Sequence, residues 1–138
     1  MKRLILLLAA VLMAAATSFA QNRLNDKAES ILGDYESGRD DDVYRVRVTA
    51  VDGGTYKAEV YYVMSVDKHG VKKESHDSFQ LIEGLRYNPS QKYWRGKILH
   101  PELGIKATAT CSFLDDGRLK LKGSVMGVGM SIYWRKIK

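Results

Sequence analysis

Beyond its first twenty residues, this sequence predicts an all-β protein, an antiparallel sandwich or barrel of about nine short strands entered through one short N-terminal helix. Three observations predict it. Apolar and polar residues alternate through most of the chain from Val43 onward. Glycine- or proline-bearing turns interrupt that alternation at short, regular intervals. Helical spacing occurs only once, ahead of the strands, at Leu24, Ala28, Ile31 and Leu32. Full closure into a barrel is attractive because it removes exposed strand edges.

Each element has its own justification. Arg23 to Leu32 reads as a lid-like helix, with Asn25 or Asp26 as N-cap and Gly33 as stop. Over 43 to 50 the period changes to two: Tyr44, Val46, Val48 and Ala50 face one way, Arg45, Arg47 and Thr49 the other. Asp52-Gly53-Gly54 supplies the positive φ angles of a hairpin. Thr55 to Val66 then alternates Tyr56, Ala58, Val60, Tyr62, Met64 and Val66 on one face before Asp67-Lys68-His69-Gly70 breaks it. The polar stretch Val71 to Asp77 fits an edge strand or a loop equally well. Ser78 to Asn88 resumes the strand pattern, with Glu83-Gly84 as a break or bulge. Strands Lys92 to Leu99, Ile105 to Phe113, Arg118 to Ser124 and Gly129 to Lys136 complete the count, separated by Pro101-Glu102-Leu103-Gly104, Asp115-Asp116-Gly117 and Gly127.

The opening residues form a separate unit. Lys2 and Arg3 precede an apolar run from Leu4 to Ala16, and Ser18 and Ala20 sit three and one residues before Gln21. That is the layout of a secretory signal peptide over residues 1 to 20, cleaved near Ala20-Gln21. The run is too short for a comfortable membrane span of about 20 residues, and the residue directly after the cleavage point is Gln21 and not a cysteine, so no stable membrane anchor is expected. A bacterial protein of the periplasm or exterior is expected, with 21 to 138 forming a single domain whose core spans about 31 to 137. Removing Lys2 and Arg3 from 22 basic residues leaves 20 against 16 acidic, a net charge of plus four. The charges alternate along strands and form no basic block, so nucleic acid is not an expected partner.

Candidate chemistry is sparse. The single cysteine, Cys111, shares parity with Ile105, Ala107, Ala109 and Phe113, which reads as a buried apolar thiol. His69, His76 and His100 each sit beside turn or polar residues, and no H-E-x-x-H, G-x-S-x-G or C-x-x-C occurs, so no catalytic residue, metal site or cofactor is predicted. Asp40-Asp41-Asp42 lacks the spaced oxygens of a calcium loop and reads as solvated. Met126 and Met130 share a face and would suit a soft metal, yet packing into a core or pocket explains them equally well.

The last third carries a resemblance. Trp94-Arg95-Gly96-Lys97-Ile98, the Pro101 and Gly104 turn, Asp116-Gly117, Leu119-Lys120-Leu121-Lys122-Gly123, Gly127 and Trp134-Arg135 resemble an exported bacterial family, domain of unknown function 2147. Its order is W-x-G-K-I, P-x-x-G-K-x-Y, L-x-v-r-G, W-x-R. Ile31-Leu32-Gly33-Asp34-Tyr35 is similar to its I-x-G-x-W start, with Tyr35 for tryptophan, and to the G-x-W entry of lipocalins. His100 stands where an aspartate before the proline is typical, and Ala107 replaces a tyrosine. The resemblance implies a lipocalin-like, calycin-type antiparallel barrel and no established activity.

Small barrels of about eight strands either hold one small ligand or fill with side chains. Eight tyrosines and two tryptophans, several on predicted apolar faces, favour a ligand. The expected function is therefore non-enzymatic binding of a small apolar or amphipathic molecule, with Tyr44, Tyr62, Met64 and Tyr87 lining the pocket and Met126 and Met130 at its mouth. Tyr35, Trp94, Trp134 and Arg135 are expected to close the barrel structurally, the arginine stacking on the aromatics. The alternative is a packed barrel acting through its outside, as an envelope interaction or inhibitor-like module.

Overall fold

The computed structural model describes residues 23–39, 41–100, 105–125 and 128–138. The predicted signal peptide, the Pro101 to Gly104 turn, Met126 and Gly127 lie outside them. Nine strands follow in chain order: β1 (Gly33–Arg39), β2 (Asp42–Val51), β3 (Thr55–Val66), β4 (Lys72–Ser75), β5 (Phe79–Asn88), β6 (Tyr93–His100), β7 (Ile105–Phe113), β8 (Leu119–Val125) and β9 (Val128–Lys136). All but β4 form a ring of eight antiparallel strands, closed where β9 meets β1. The choice between sandwich and barrel is thereby decided: the fold is a lipocalin-like closed barrel.

β4 settles the ambiguous polar segment. It is an edge strand that pairs with Val63–Val66 of β3, where β3 has outrun its other neighbour, β5. The turn is locked by the Asp67 carboxylate, which accepts from the amides of His69 and Val71 at 2.9 Å each.

The N-terminal segment differs from the expected single helix. It forms two 3-10 turns, Arg23–Asp26 and Ala28–Ile31, broken at Lys27, which is extended (φ −126°, ψ 132°). The reason lies in what the barrel asks of the segment. The carbonyls of Asn25, Ala28 and Ile31 accept hydrogen bonds from the Tyr87 hydroxyl (2.6 Å), the Trp94 indole (3.0 Å) and the Tyr35 hydroxyl (2.7 Å). Acceptors three residues apart match the three-residue period of a 3-10 helix, so short 3-10 turns present all three carbonyls to the barrel. Asn25 adds two further bonds, donating to the Phe113 carbonyl (2.9 Å) and accepting from its amide (2.7 Å). The segment is a plug across one end of the barrel.

Above the plug the interior is packed solid. Ile31, Tyr35, Leu85, Trp94, Ala109, Cys111 and Leu119 have no exposed surface. Trp94 meets Phe113 edge-on at 5.7 Å and Tyr87 at 5.0 Å, and Tyr35 meets Trp134 at 5.9 Å. Gly96 is needed for closeness: a β-carbon there would come within 2.8 Å of the Glu83 carbonyl oxygen and 3.0 Å of a Leu85 methyl.

Two strands lose simple alternation. In β3 the register against β2 slips between Val46 opposite Val60 and Arg45 opposite Tyr62, leaving Tyr61 as an extra residue. Everything beyond Tyr61 is thereby turned to the opposite face. In β5 the pairing with β6 slips around Gly84, whose φ of +63° suits glycine.

The seam between β1 and β9 is short, two register pairs, Tyr35 with Lys136 and Glu36 with Arg135. Side chains reinforce it. Glu36 accepts from Arg45 on β2 (3.0 Å) and from Arg135 on β9 (2.8 Å), so one carboxylate ties three strands on the outer wall. Arg135 therefore faces outward and is not stacked over the aromatics as expected, because it lies one residue from the inward Trp134 and alternation turns it away. Lys136, next along, supplies the cation instead: its ammonium lies 6.0 Å from the ring centres of Tyr35 and Phe113 and donates to the Ser30 carbonyl at 3.2 Å.

Candidate ligand-binding cavity

The end of the barrel opposite the plug is hollow. A cavity of about 530 Å³ opens there, floored by the buried Val60, Ile82, Leu121 and Trp134. Its walls are Tyr44 on β2, Val63 on β3, Leu81 on β5, Ile98 on β6 and Gly123 on β8. At the rim stand Phe79 and Ile132, 43% and 38% exposed. The size falls within the range of small-molecule sites.

Its chemistry is almost wholly apolar. Among the described lining residues the polar side-chain groups are the Tyr44 hydroxyl and the Trp134 indole, and these two meet: Trp134 Nε1 donates to Tyr44 Oη at 3.0 Å. The hydroxyl accepts that bond, so its own proton and a second lone pair stay available. The arrangement offers a greasy chamber with one hydrogen-bonding point on its wall.

The predicted site residues are distributed unevenly. Tyr44 lines the cavity. Tyr87 is inside the barrel but at the plugged end, spent on Asn25 and Trp94. Tyr62 and Met64 are on the outer wall, a correction caused by the Tyr61 bulge: Tyr62 lies opposite Arg45, whose guanidinium sits 4.8 Å above its ring, and meets His76 at a tilt, ring centres 5.2 Å apart. Val63, opposite Tyr44, takes the inward place instead. Met126 and the Met130 side chain lie outside the described residues. Trp94 and Tyr35 belong to the plugged end, whereas Trp134, expected to serve closure alone, also floors the cavity.

The bulge residue has a partner of its own. Arg47 donates Nε and Nη2 to the two Asp34 oxygens at 2.9 and 3.1 Å, and Tyr61 adds its hydroxyl at 3.2 Å while its ring lies 4.5 Å beneath the Arg47 guanidinium. This cluster holds Tyr61, the residue left over by the register slip. Those bonds hold the Asp34 carboxyl below its ordinary range, with the Arg47 hydrogen bonds as the largest cause and burial opposing. Burial pushes the Cys111 thiol up to about 12, so it packs as an inert hydrophobe. His69 and His76 are exposed and the His100 side chain is outside the described residues. Among the described residues no three His, Cys, Asp or Glu side chains gather as a metal site requires.

The model of a bacterial family, domain of unknown function 2147, described as an uncharacterized protein conserved in bacteria, matches residues 33–136. The chain belongs to that family. The match begins at the first residue of β1 and ends at the last of β9, so the DUF2147 unit in this chain is the barrel without its plug. No curated protein and no solved structure matches the chain. Within this DUF2147 barrel the motif residues Trp94, Gly96 and Trp134 build the interior, while Arg95, Lys97 and Arg135 face out.

Two signals would have placed the cavity better. Val60 and Val63 are three apart, as are Ile82 and Leu85, and in a period-two strand a spacing of three between apolar residues marks one extra residue.

Proposed function

We propose that the protein is an exported, non-enzymatic binder of a small apolar or amphipathic molecule, held in the open end of the barrel with its apolar body against Val60, Val63, Ile98 and Ile132 and a hydrogen-bonding group at Tyr44. The observation that carries this reading is the cavity of about 530 Å³ with its single hydroxyl. A packed interior would have favoured a barrel that works through its outside; this interior is packed at the plugged end and open at the other. Non-enzymatic action rests on the lining, which offers apolar groups in place of a converging acid, base and nucleophile. Export rests on the signal-peptide pattern of residues 1 to 20.

Native mass spectrometry of the mature protein tests the reading, together with a series of straight-chain alcohols titrated against Trp134 fluorescence. A co-purified small molecule is expected, and affinity should climb about fourfold per methylene until the chamber is full, the equivalent of about 0.8 kcal/mol for each buried CH₂. Absence of a bound molecule together with affinities indifferent to chain length would sink the proposal.

A further inference from the structure

A second concavity lies on the outside of the barrel, over β5, β6 and β7, and its chemistry is opposite to that of the chamber. It is a groove of about 710 Å³ lined by Arg86, Arg95 and Lys97, with Tyr93, Asn88 and Thr108 beside them. Arg86 and Arg95 stand directly opposite one another in the β5–β6 register. Side chains so placed have β-carbons about 5 Å apart, and like charges there are destabilising. Four other arginines have a carboxylate: Arg45 and Arg135 share Glu36, Arg47 has Asp34, and Arg118 has Asp116. Among the described residues, no ion pair or hydrogen bond engages the guanidinium of Arg86 or of Arg95. Lys97 lies opposite Glu83 in the register, whereas Arg86 and Arg95 lie opposite each other, so the two arginines form the positive centre.

The backbone shapes the concavity. The register slip around Gly84, with its φ of +63°, falls at the edge of the groove, where a bulge bends and twists the strand. A bent wall with two unpaired guanidiniums on adjacent strands is a persistent electrostatic cost with no structural return.

We propose that this groove is a binding site for a soluble phosphate-bearing small molecule, with Arg86 and Arg95 clamping the phosphoryl group and Lys97 at its flank. A phosphoryl group carries up to two negative charges and three strong acceptor oxygens, enough to engage two guanidinium forks at once and to neutralise both, where a single carboxylate supplies one charge and two oxygens. The groove is far larger than the phosphoryl group, and Tyr93 and Asn88 give the rest of the molecule a ring and an amide to contact. Pro89 is the one aliphatic ring among the described lining residues and no Leu, Ile, Val or Met joins it, which argues for a free ligand over a lipid headgroup at a membrane surface. The site is on the outer wall and does not depend on the occupancy of the interior chamber.

The like-charge pair makes the test sharp. Mature protein at low salt is titrated with inorganic pyrophosphate and followed by amide NMR and thermal unfolding, alongside Arg86→Gln, Arg95→Gln and the remote control Lys73→Gln. The expected result is saturable binding with shifts confined to β5, β6 and the adjoining face of β7, and a rise in melting temperature on adding pyrophosphate. Each arginine variant should bind about tenfold more weakly or worse, while melting at the same temperature as the parent or higher because the repulsion is relieved. The control should bind like the parent. Unsaturable binding, shifts spread over lysines of every strand, or unchanged affinity in both arginine variants would overturn the site. Sedimentation with phosphatidylglycerol vesicles that the arginine variants abolish would overturn the assignment to a free ligand.

Discussion

The indole of Trp134 on β9 donates a hydrogen bond to the hydroxyl of Tyr44 on β2 across 3.0 Å, joining residues 90 apart at the floor of the open chamber. Trp134 is buried to 1% exposure and Tyr44 is half-buried, so the bond sits where the packed half of the barrel gives way to the hollow half. It satisfies the tryptophan and leaves the tyrosine able to bond again.

Tyr44→Phe tests that division of labour. The variant keeps the ring and strands the indole N–H, which should cost about 1–3 kcal/mol in urea unfolding. Apolar probes should still bind within about threefold, whereas a long-chain alcohol should lose about 1 kcal/mol relative to the matching alkane-like probe. Equal losses for both probes would show that the hydroxyl acts on the shape of the chamber and not on the ligand.

The bulge at Tyr61 sets which side chains see the chamber. Val63→Asn should abolish binding of an apolar probe by placing an amide on the wall, while Met64→Asn, one residue along on the outer face, should leave affinity unchanged and stability within about 0.5 kcal/mol. Probe titration of the two proteins side by side is the measurement. The opposite ranking would mean that the period of β3 runs unbroken.

That same bulge marks where the sequence stops being readable. The strand count, the hairpin at Gly53-Gly54, the inward parity of Val46 and Val48 and the burial of Cys111 follow from alternation and turn chemistry, local rules that need no knowledge of partners. Alternation alone misplaces Tyr62 and Met64 because a single extra residue, Tyr61, bonded to Asp34 and packed on Arg47, inverts all that follows it. The N-terminal turns are illegible for a similar reason: their carbonyls answer to Tyr87, Trp94 and Tyr35, more than 60 residues away in the first two cases. Arg135 was visible as a barrel-end cation, but only the seam register separates it from Lys136.

Asn25 holds the plug by two bonds to Phe113, in addition to the carbonyl it offers Tyr87. Asn25→Ala should therefore cost about 2–3 kcal/mol, more than Tyr87→Phe, which removes one donor and should cost about 1 kcal/mol. Hydrogen exchange at the Phe113 amide should accelerate in the alanine variant alone. Similar exchange in both would place the anchor elsewhere in the segment.

Cys111 supplies a check on closure. Its thiol is fully buried and pushed up to about 12 by that burial, so the native protein should not react with a thiol-directed reagent at neutral pH. Reaction should appear only in denaturant, with a midpoint that follows global unfolding. Rapid labelling of the folded protein would contradict a closed wall at β7.

Acid should weaken the barrel through Asp34. The bidentate Arg47 bonds, followed by Tyr61, hold its carboxyl below the ordinary range in the folded protein. A depressed folded value means that the unfolded chain binds the proton more readily, so the contribution to stability is complete above the unfolded value, about 3.9, and is lost as pH falls through the folded one. Melting temperature should thus hold steady from neutral pH down to about pH 5 and fall below it, and Asp34→Asn should melt lower at neutral pH and show a shallower acid decline. Because more than half of the Arg47 side chain is exposed, salt should weaken the neutral-pH difference between parent and variant. A variant whose acid decline is as steep as the parent's would move the acid sensitivity to another carboxylate.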